Sequence, residues 1–134
     1  MKLINRDTDY AIRALCYIAK SNNGLISVSE LVNNIKISRS FLRKILQVLN
    51  KERVLVSYRG KGGGFKLGIP SDKIFLTDLL EIFHGPFKLS ECFIKKDICP
   101  DVEKCILKKK IDSIEKYVKS ELSSVSIKSL LSGR

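Results

Sequence analysis

The chain has 134 residues, 44% of them apolar, which is enough for a single domain with its own core. Charge interrupts every apolar run well short of the roughly 20 residues needed to span a membrane, so no membrane partner is expected. The opening Met1-Lys2-Leu3-Ile4-Asn5-Arg6-Asp7 has no apolar stretch of a secretory leader, so a cytoplasmic location is expected, where four cysteines serve as thiols or metal ligands rather than as a disulfide framework. The formal net charge of +11 favours a polyanionic partner. Between Lys36 and Lys66 nine basic residues face one acid, Glu52, so most of the excess sits in one quarter of the chain.

Thr8 to Lys20 reads as a helix, capped by Thr8 or Asp7. It is apolar nearly all round, with Arg13 the one charge inside the apolar run, and is expected to pack against neighbours or a second subunit. Cys16, within that run, reads as a small core residue. After Asn22-Asn23-Gly24, Ser27 with Glu30 three residues on forms a capping-box pattern that opens a helix through about Asn34. Ser38 then caps a third helix. Its apolar positions Phe41, Leu42, Ile45, Val48 and Leu49 recur at helical spacing, while Arg39, Ser40, Arg43, Lys44 and Gln47 lie off that stripe. Two short helices joined by a tight turn, the second basic on its outer face, make a helix-turn-helix pattern.

A β-rich run, Val54 to Tyr58, follows. Next come Arg59-Gly60-Lys61-Gly62-Gly63-Gly64 and a second run, Phe65 to Ile69. This is a hairpin with a basic tip, a wing, whose glycines admit positive φ and let the backbone come close to a phosphate. It lacks the Lys-Ser/Thr ending of a nucleotide-phosphate loop, and no helix follows it. Arg39, Arg43 and Lys44 can reach base edges or phosphates in a major groove, and Arg59 and Lys61 can reach into the minor groove or along its backbone. The expected partner is therefore double-stranded DNA.

Leu76 to Phe83 reads as a short helix ending near His84-Gly85-Pro86, where the only histidine reads as structural. From Lys104 a long helix runs towards Leu122. Along it Leu107, Ile111, Ile114, Val118, Leu122 and Val125 form a stripe close to a coiled-coil seam, and Asp112/Lys116 and Glu115/Lys119 are spaced as outer ion pairs. The natural cover for that stripe is the same helix of a second subunit. The expected fold is mainly α with a small β-wing. Residues 1–86 form a winged helix-turn-helix domain, 87–104 a cysteine-bearing loop, and 105–134 a dimerisation helix and tail. No catalytic set is visible: there is one histidine, no Cys-x-x-Cys and no arguable carboxylate pair.

Cys92, Cys99 and Cys105 fall within 14 residues, separated by six and five positions. Such a loop can wrap a soft metal centre, and neither gap has the form of a zinc ribbon. An iron–sulfur cluster one ligand short, zinc, redox thiols and structural cysteines all remain open from spacing alone.

Thr8-Asp9-Tyr10-Ala11-Ile12-Arg13-Ala14-Leu15, the hairpin from Arg59 to Leu67 and the three-cysteine loop together resemble the Rrf family of bacterial regulators, the group that includes IscR, NsrR and RirA. The likeness runs in order over nearly the whole chain. It implies a homodimeric winged-helix regulator of transcription joined by the long C-terminal helix; a repressor is the expected role. It implies an iron–sulfur cluster (4Fe–4S or 2Fe–2S) on Cys92, Cys99 and Cys105. It also implies that Ser38, Arg39, Ser40, Arg43 and Lys44 face the major groove and Arg59, Lys61 and Gly62 the minor groove. In IscR-like members a histidine three residues after the last cysteine completes the site; here that residue is Lys108. In the nitric-oxide-sensing NsrR branch an acid near the start of the first helix, donated by the other subunit, can do so. Asp9 matches that position, with Asp7 close by. A hard carboxylate on a soft cluster is a replaceable ligand, suited to sensing nitric oxide, redox or iron–sulfur status. Asp9 reads equally well as a first-turn acid that favours the helix dipole. The alternative is a cluster-free thiol-redox or zinc-containing regulator of the same fold.

Overall fold

The computed structural model describes residues 3–21, 24–86, 88 and 105–133. Three helices, α1 (Arg6–Lys20), α2 (Val28–Ile35) and α3 (Arg39–Lys51), precede a hairpin of β1 (Leu55–Tyr58) and β2 (Gly64–Leu67). A 3-10 turn (Ser71–Lys73), α4 (Leu76–His84), α5 (Ile106–Ser123) and α6 (Ile127–Leu131) complete the described elements. The mainly helical fold with a two-stranded wing is as expected; the 3-10 turn and α6 were not foreseen.

The caps explain where the helices start. Ser27 Oγ accepts from the Glu30 N–H at 3.1 Å and Ser38 Oγ from the Phe41 N–H at 3.3 Å, as the sequence pattern implied. The cap of α1, however, is neither Thr8 nor Asp7. Asn5 Oδ1 accepts from the Thr8 N–H at 2.8 Å, and the helix begins at Arg6. Thr8 is fully buried one turn inside, so its side chain is spent on packing.

The turn between α2 and α3 passes through Lys36 in the left-handed region, φ 61° and ψ 49°. A side chain there costs about 1 kcal/mol relative to glycine. Lys36→Gly is expected to raise stability by ~0.5–1 kcal/mol, read as a higher urea midpoint. An unchanged midpoint would mean that the lysine side chain offsets its own backbone cost.

The core joins Ala14, Leu15 and Ile18 of α1, Leu31 of α2 and Leu42, Ile45, Leu46 and Leu49 of α3 with Leu55, Leu79 and Ile127. Burying each of these leucines contributes roughly 1.5–3 kcal/mol. On α3 the inward stripe corrects the expectation at one position: Leu46 is fully buried and Val48 is 36% exposed. Two residues along a helix is about 200° of rotation, so the two cannot face the same side.

The hairpin is antiparallel, with Leu55 opposite Leu67 and Tyr58 opposite Gly64. Its returning strand β2 is held from outside, near the turn, by Ile26, whose N–H donates to Phe65 O at 2.9 Å and whose carbonyl accepts from the Phe65 N–H at 2.8 Å. The wing is thus tied to the segment that leads into α2.

The later part of α5 lies along α4, where Lys119 and Leu122 sit with Thr77, Leu80 and Glu81. The chain then returns to the core. The Leu76 N–H donates to Val125 O and the Ile127 N–H to Ile74 O, both at 2.9 Å, and Ile127 is fully buried. The start of α5 is different: α5 has no buried residue, Leu107 is 69% exposed and Ile114 is 49% exposed. Among the described residues no helix is long and apolar enough to cross a membrane.

Candidate nucleic-acid interface

Because α3 turns Leu42, Ile45, Leu46 and Leu49 inward, Arg39, Ser40, Arg43 and Lys44 stand exposed on its opposite side. Phe41 meets Tyr10 edge-on, ring centroids 5.5 Å apart, which fixes the helix against α1. Ser38 is exposed at the same end, its oxygen engaged by the Phe41 N–H. Arg39 donates from Nη2 to Ser29 Oγ at 3.0 Å and so bridges α3 to α2. A guanidinium carries five N–H groups, so this bond leaves donors for a ligand.

At the wing tip Arg59, Gly60, Lys61 and Gly62 are all exposed. The Gly63 N–H closes the turn on Gly60 O at 3.0 Å. Gly62 has φ +80° with open space around it, so its requirement is conformational. At Gly64 the requirement is steric and internal, because a Cβ there would lie 2.2 Å from Ile26 O. The expectation that the glycines serve close approach to a ligand therefore does not extend to Gly64, whose near neighbour is the protein's own backbone.

Between α3 and the hairpin opens a cleft of about 410 Å³ with Arg43, Gln47, Asn50, Tyr58 and Arg59 on its walls. Among the described residues no carboxylate lines it. Arg43, Lys44, Arg59 and Lys61 make no salt bridge among the described residues. Asn50 and Tyr58 were not singled out from the sequence, and Gln47 only as lying off the apolar stripe. The available signal was the spacing 43, 47, 50, which puts three side chains in one row on the helix.

Of the residues expected to hold a metal centre, Cys92 and Cys99 lie outside the described residues. Cys105 occupies the N-cap position of α5, a free and half-buried thiol. Asp9 sits in the first turn of α1 with Asp7, and its Oδ2 accepts from Arg13 Nε at 3.2 Å, one turn further along. Lys108 Nζ lies 3.8 Å from Asp112 Oδ2 on the exposed side of α5. No group of three or more candidate metal ligands occurs among the described residues. Cys16 packs half-buried against the core; burial pushes its thiol pKa up, against the smaller opposing effect of Lys20.

Comparison with known proteins decides the family. The Rrf2 family, described as iron-dependent transcriptional regulators, matches residues 4–133. The chain belongs to the Rrf2 family. An HTH-type transcriptional regulator of Aquifex aeolicus is 32% identical over 124 residues, spanning 91% of this chain and 86% of that protein. The HTH-type regulator NsrR of Oceanobacillus iheyensis is 36% identical over 93 residues, 69% of this chain and 63% of its own. Among solved structures, CymR of B. subtilis, described as its global cysteine regulator, matches with a TM-score of 0.80 at 25% identity, covering 100% of this chain and 99% of that one. IscR of T. potens has the same fold, with a TM-score of 0.77 at 19% identity over 99% and 88% of the two chains. This Rrf2 protein is thus a DNA-binding regulator of transcription and not an enzyme.

Proposed function

We propose that this Rrf2 protein is a cytoplasmic, homodimeric repressor that binds operator DNA through α3 and the wing and is gated by an iron–sulfur cluster. The observation that carries the DNA-binding surface is the run of exposed cations on two adjacent elements, Arg43 and Lys44 on α3 and Arg59 and Lys61 on the wing, none of them paired among the described residues. Ser38, Arg39 and Ser40 extend it at the start of α3, and Gly62 lets the wing tip turn tightly enough to enter a minor groove. Several phosphate contacts together make affinity fall steeply with salt.

Leu107 and Ile114 on α5 support the dimer, since one chain leaves both in water on the same side of the helix. Covering them with the same helix of a second copy places two winged helices on half-sites about one DNA turn apart.

Donor chemistry supports the cluster. Cys92, Cys99 and Cys105 are soft ligands suited to iron–sulfur chemistry, and Asp9 of the second subunit is the candidate fourth ligand, with Asp7 as its neighbouring substitute. Cys105 is attached directly to the dimerisation helix, so a change in its ligation acts on that helix. A bound 4Fe–4S or 2Fe–2S centre supplies iron that nitric oxide, oxidants or iron shortage alter. The iron-dependent description of the family and the likeness to NsrR point the same way.

Anaerobically purified protein is expected to be coloured and to contain iron and sulfide, and Cys105→Ser is expected to lose most of the colour while keeping its helical signal. Colourless protein that resists reconstitution would overturn the cluster. Asp9→Ala should fold but lose its chromophore faster in air; an unchanged decay assigns Asp9 to the helix turn and Arg13. The likeness to a cysteine regulator favours the second reading, a cluster-free thiol-redox or zinc-containing regulator. Zinc without iron in the purified protein selects it.

A further inference from the structure

We infer that the cleft between α3 and the wing seats one sugar–phosphate strand of the duplex, and that Gln47, Asn50 and Tyr58 hold that strand rather than read bases, which rests on the DNA-binding reading above. Along any duplex, one sugar–phosphate strand separates each major groove from the minor groove beside it. A protein with a helix in the first and a wing in the second must straddle that strand. The space between its two probes is where the strand lies, and here that space is the cleft of about 410 Å³.

The walls match such an occupant. Arg43 and Arg59 bring two guanidinium groups, Gln47 and Asn50 bring amide N–H donors and Tyr58 a phenol O–H, with no carboxylate in the lining among the described residues. Phosphate oxygens only accept hydrogen bonds, so a wall of donors free of acids suits them. Tyr58 stands opposite Gly64 in the hairpin, which has no side chain to cover it, and is 51% exposed.

Position along the helix separates strand contacts from base contacts. Recognition helices enter the groove by their first turns, where Arg39, Ser40, Arg43 and Lys44 stand. Asn50 is eleven residues beyond Arg39, about 16 Å further along the axis. The major groove is only about 12 Å wide, so the second half of α3 faces its phosphate wall. Gln47 and Asn50 lie in the same row as Arg43 and extend it towards that wall.

The test uses the 134-residue chain and two probes: a duplex recovered by the wild-type protein from a random-sequence pool, and a scrambled duplex of the same composition. Gln47→Ala with Asn50→Ala should weaken binding to both probes alike, by about tenfold, and should recover the same motif when the selection is repeated. Tyr58→Phe, which removes only a hydroxyl, should weaken both by a few-fold. Neutral groups release no counterions, so these variants should keep the wild-type salt slope, whereas Arg59→Ala should lower it by about one. Unchanged affinity on both probes overturns the strand assignment and leaves DNA binding intact. A shifted motif overturns it too, by making these residues base readers. If the wild-type protein recovers no motif and binds neither probe, the DNA-binding reading itself fails.

Discussion

Gly64→Ala is expected to cost about 3 kcal/mol or more and to lower the melting temperature by about 10 °C. The new methyl group would sit 2.2 Å from Ile26 O, 2.6 Å from its carbonyl carbon and 2.9 Å from Ser27 N, all backbone atoms that no rotamer change can clear. Relief requires parting Ile26 from Phe65, which gives up two hydrogen bonds of 2.9 and 2.8 Å. Since that contact is what ties β2 of the wing to the segment leading into α2, operator affinity should fall with stability. Gly62→Ala is the control. It meets nothing within 4 Å and bears only the left-handed backbone penalty, about 1 kcal/mol. Melting curves of the two variants decide the matter, and equal losses would remove the steric explanation.

Leu107→Glu combined with Ile114→Glu is expected to convert the protein to a folded monomer of 15.2 kDa in sedimentation. Neither residue is buried within one chain, so circular dichroism should be unchanged. A dimer buries two copies of each side chain. At about 1.5 kcal/mol apiece, a low value chosen because both are already partly covered, the loss weakens association about 10⁴-fold. Operator binding should drop by a factor of 10²–10⁴, because two linked half-site contacts become one. A variant that still sediments as a dimer would show that α5 is not the interface.

The parts of this fold that were legible in the sequence are those specified over a few residues. Ser27 and Ser38 announce their helices through bonds that close within three positions. The basic glycine-rich stretch between two short apolar runs, with no helix after it, favoured a hairpin tip over a phosphate-binding loop. What was missed depends on partners distant in the chain. Ile26 meets Phe65 through a single bridge, too short for any alternating pattern, and Ser126 meets Phe75 across most of α4 and α5. Asn5 was passed over as a cap because Thr8 and Asp7 are equally good capping residues by type, and only burial of Thr8 distinguishes them. At the proposed DNA face the charged residues stood out by their type and clustering in the sequence. Gln47 and Asn50 carry no charge, and only their place beside the wing draws notice to them.

The two ends of α5 are anchored unequally, and that makes the helix a lever. Its fulcrum is the Lys119–Leu122 seat on α4 together with Ile127 in the core, and its other arm begins at the half-buried Cys105. From Cys105 to Lys119 the helix runs about 20 Å, with Ile111, Glu115 and Val118 only partly covered along it. A displacement of about 3 Å at the cysteine end therefore corresponds to a swing of roughly 9° in the angle between the arm and the winged helix. In the proposed dimer the arms of two subunits are joined, so that swing would be taken up by the DNA-binding heads, and a small chemical change at one thiol would be geared up into a change of reach along the duplex.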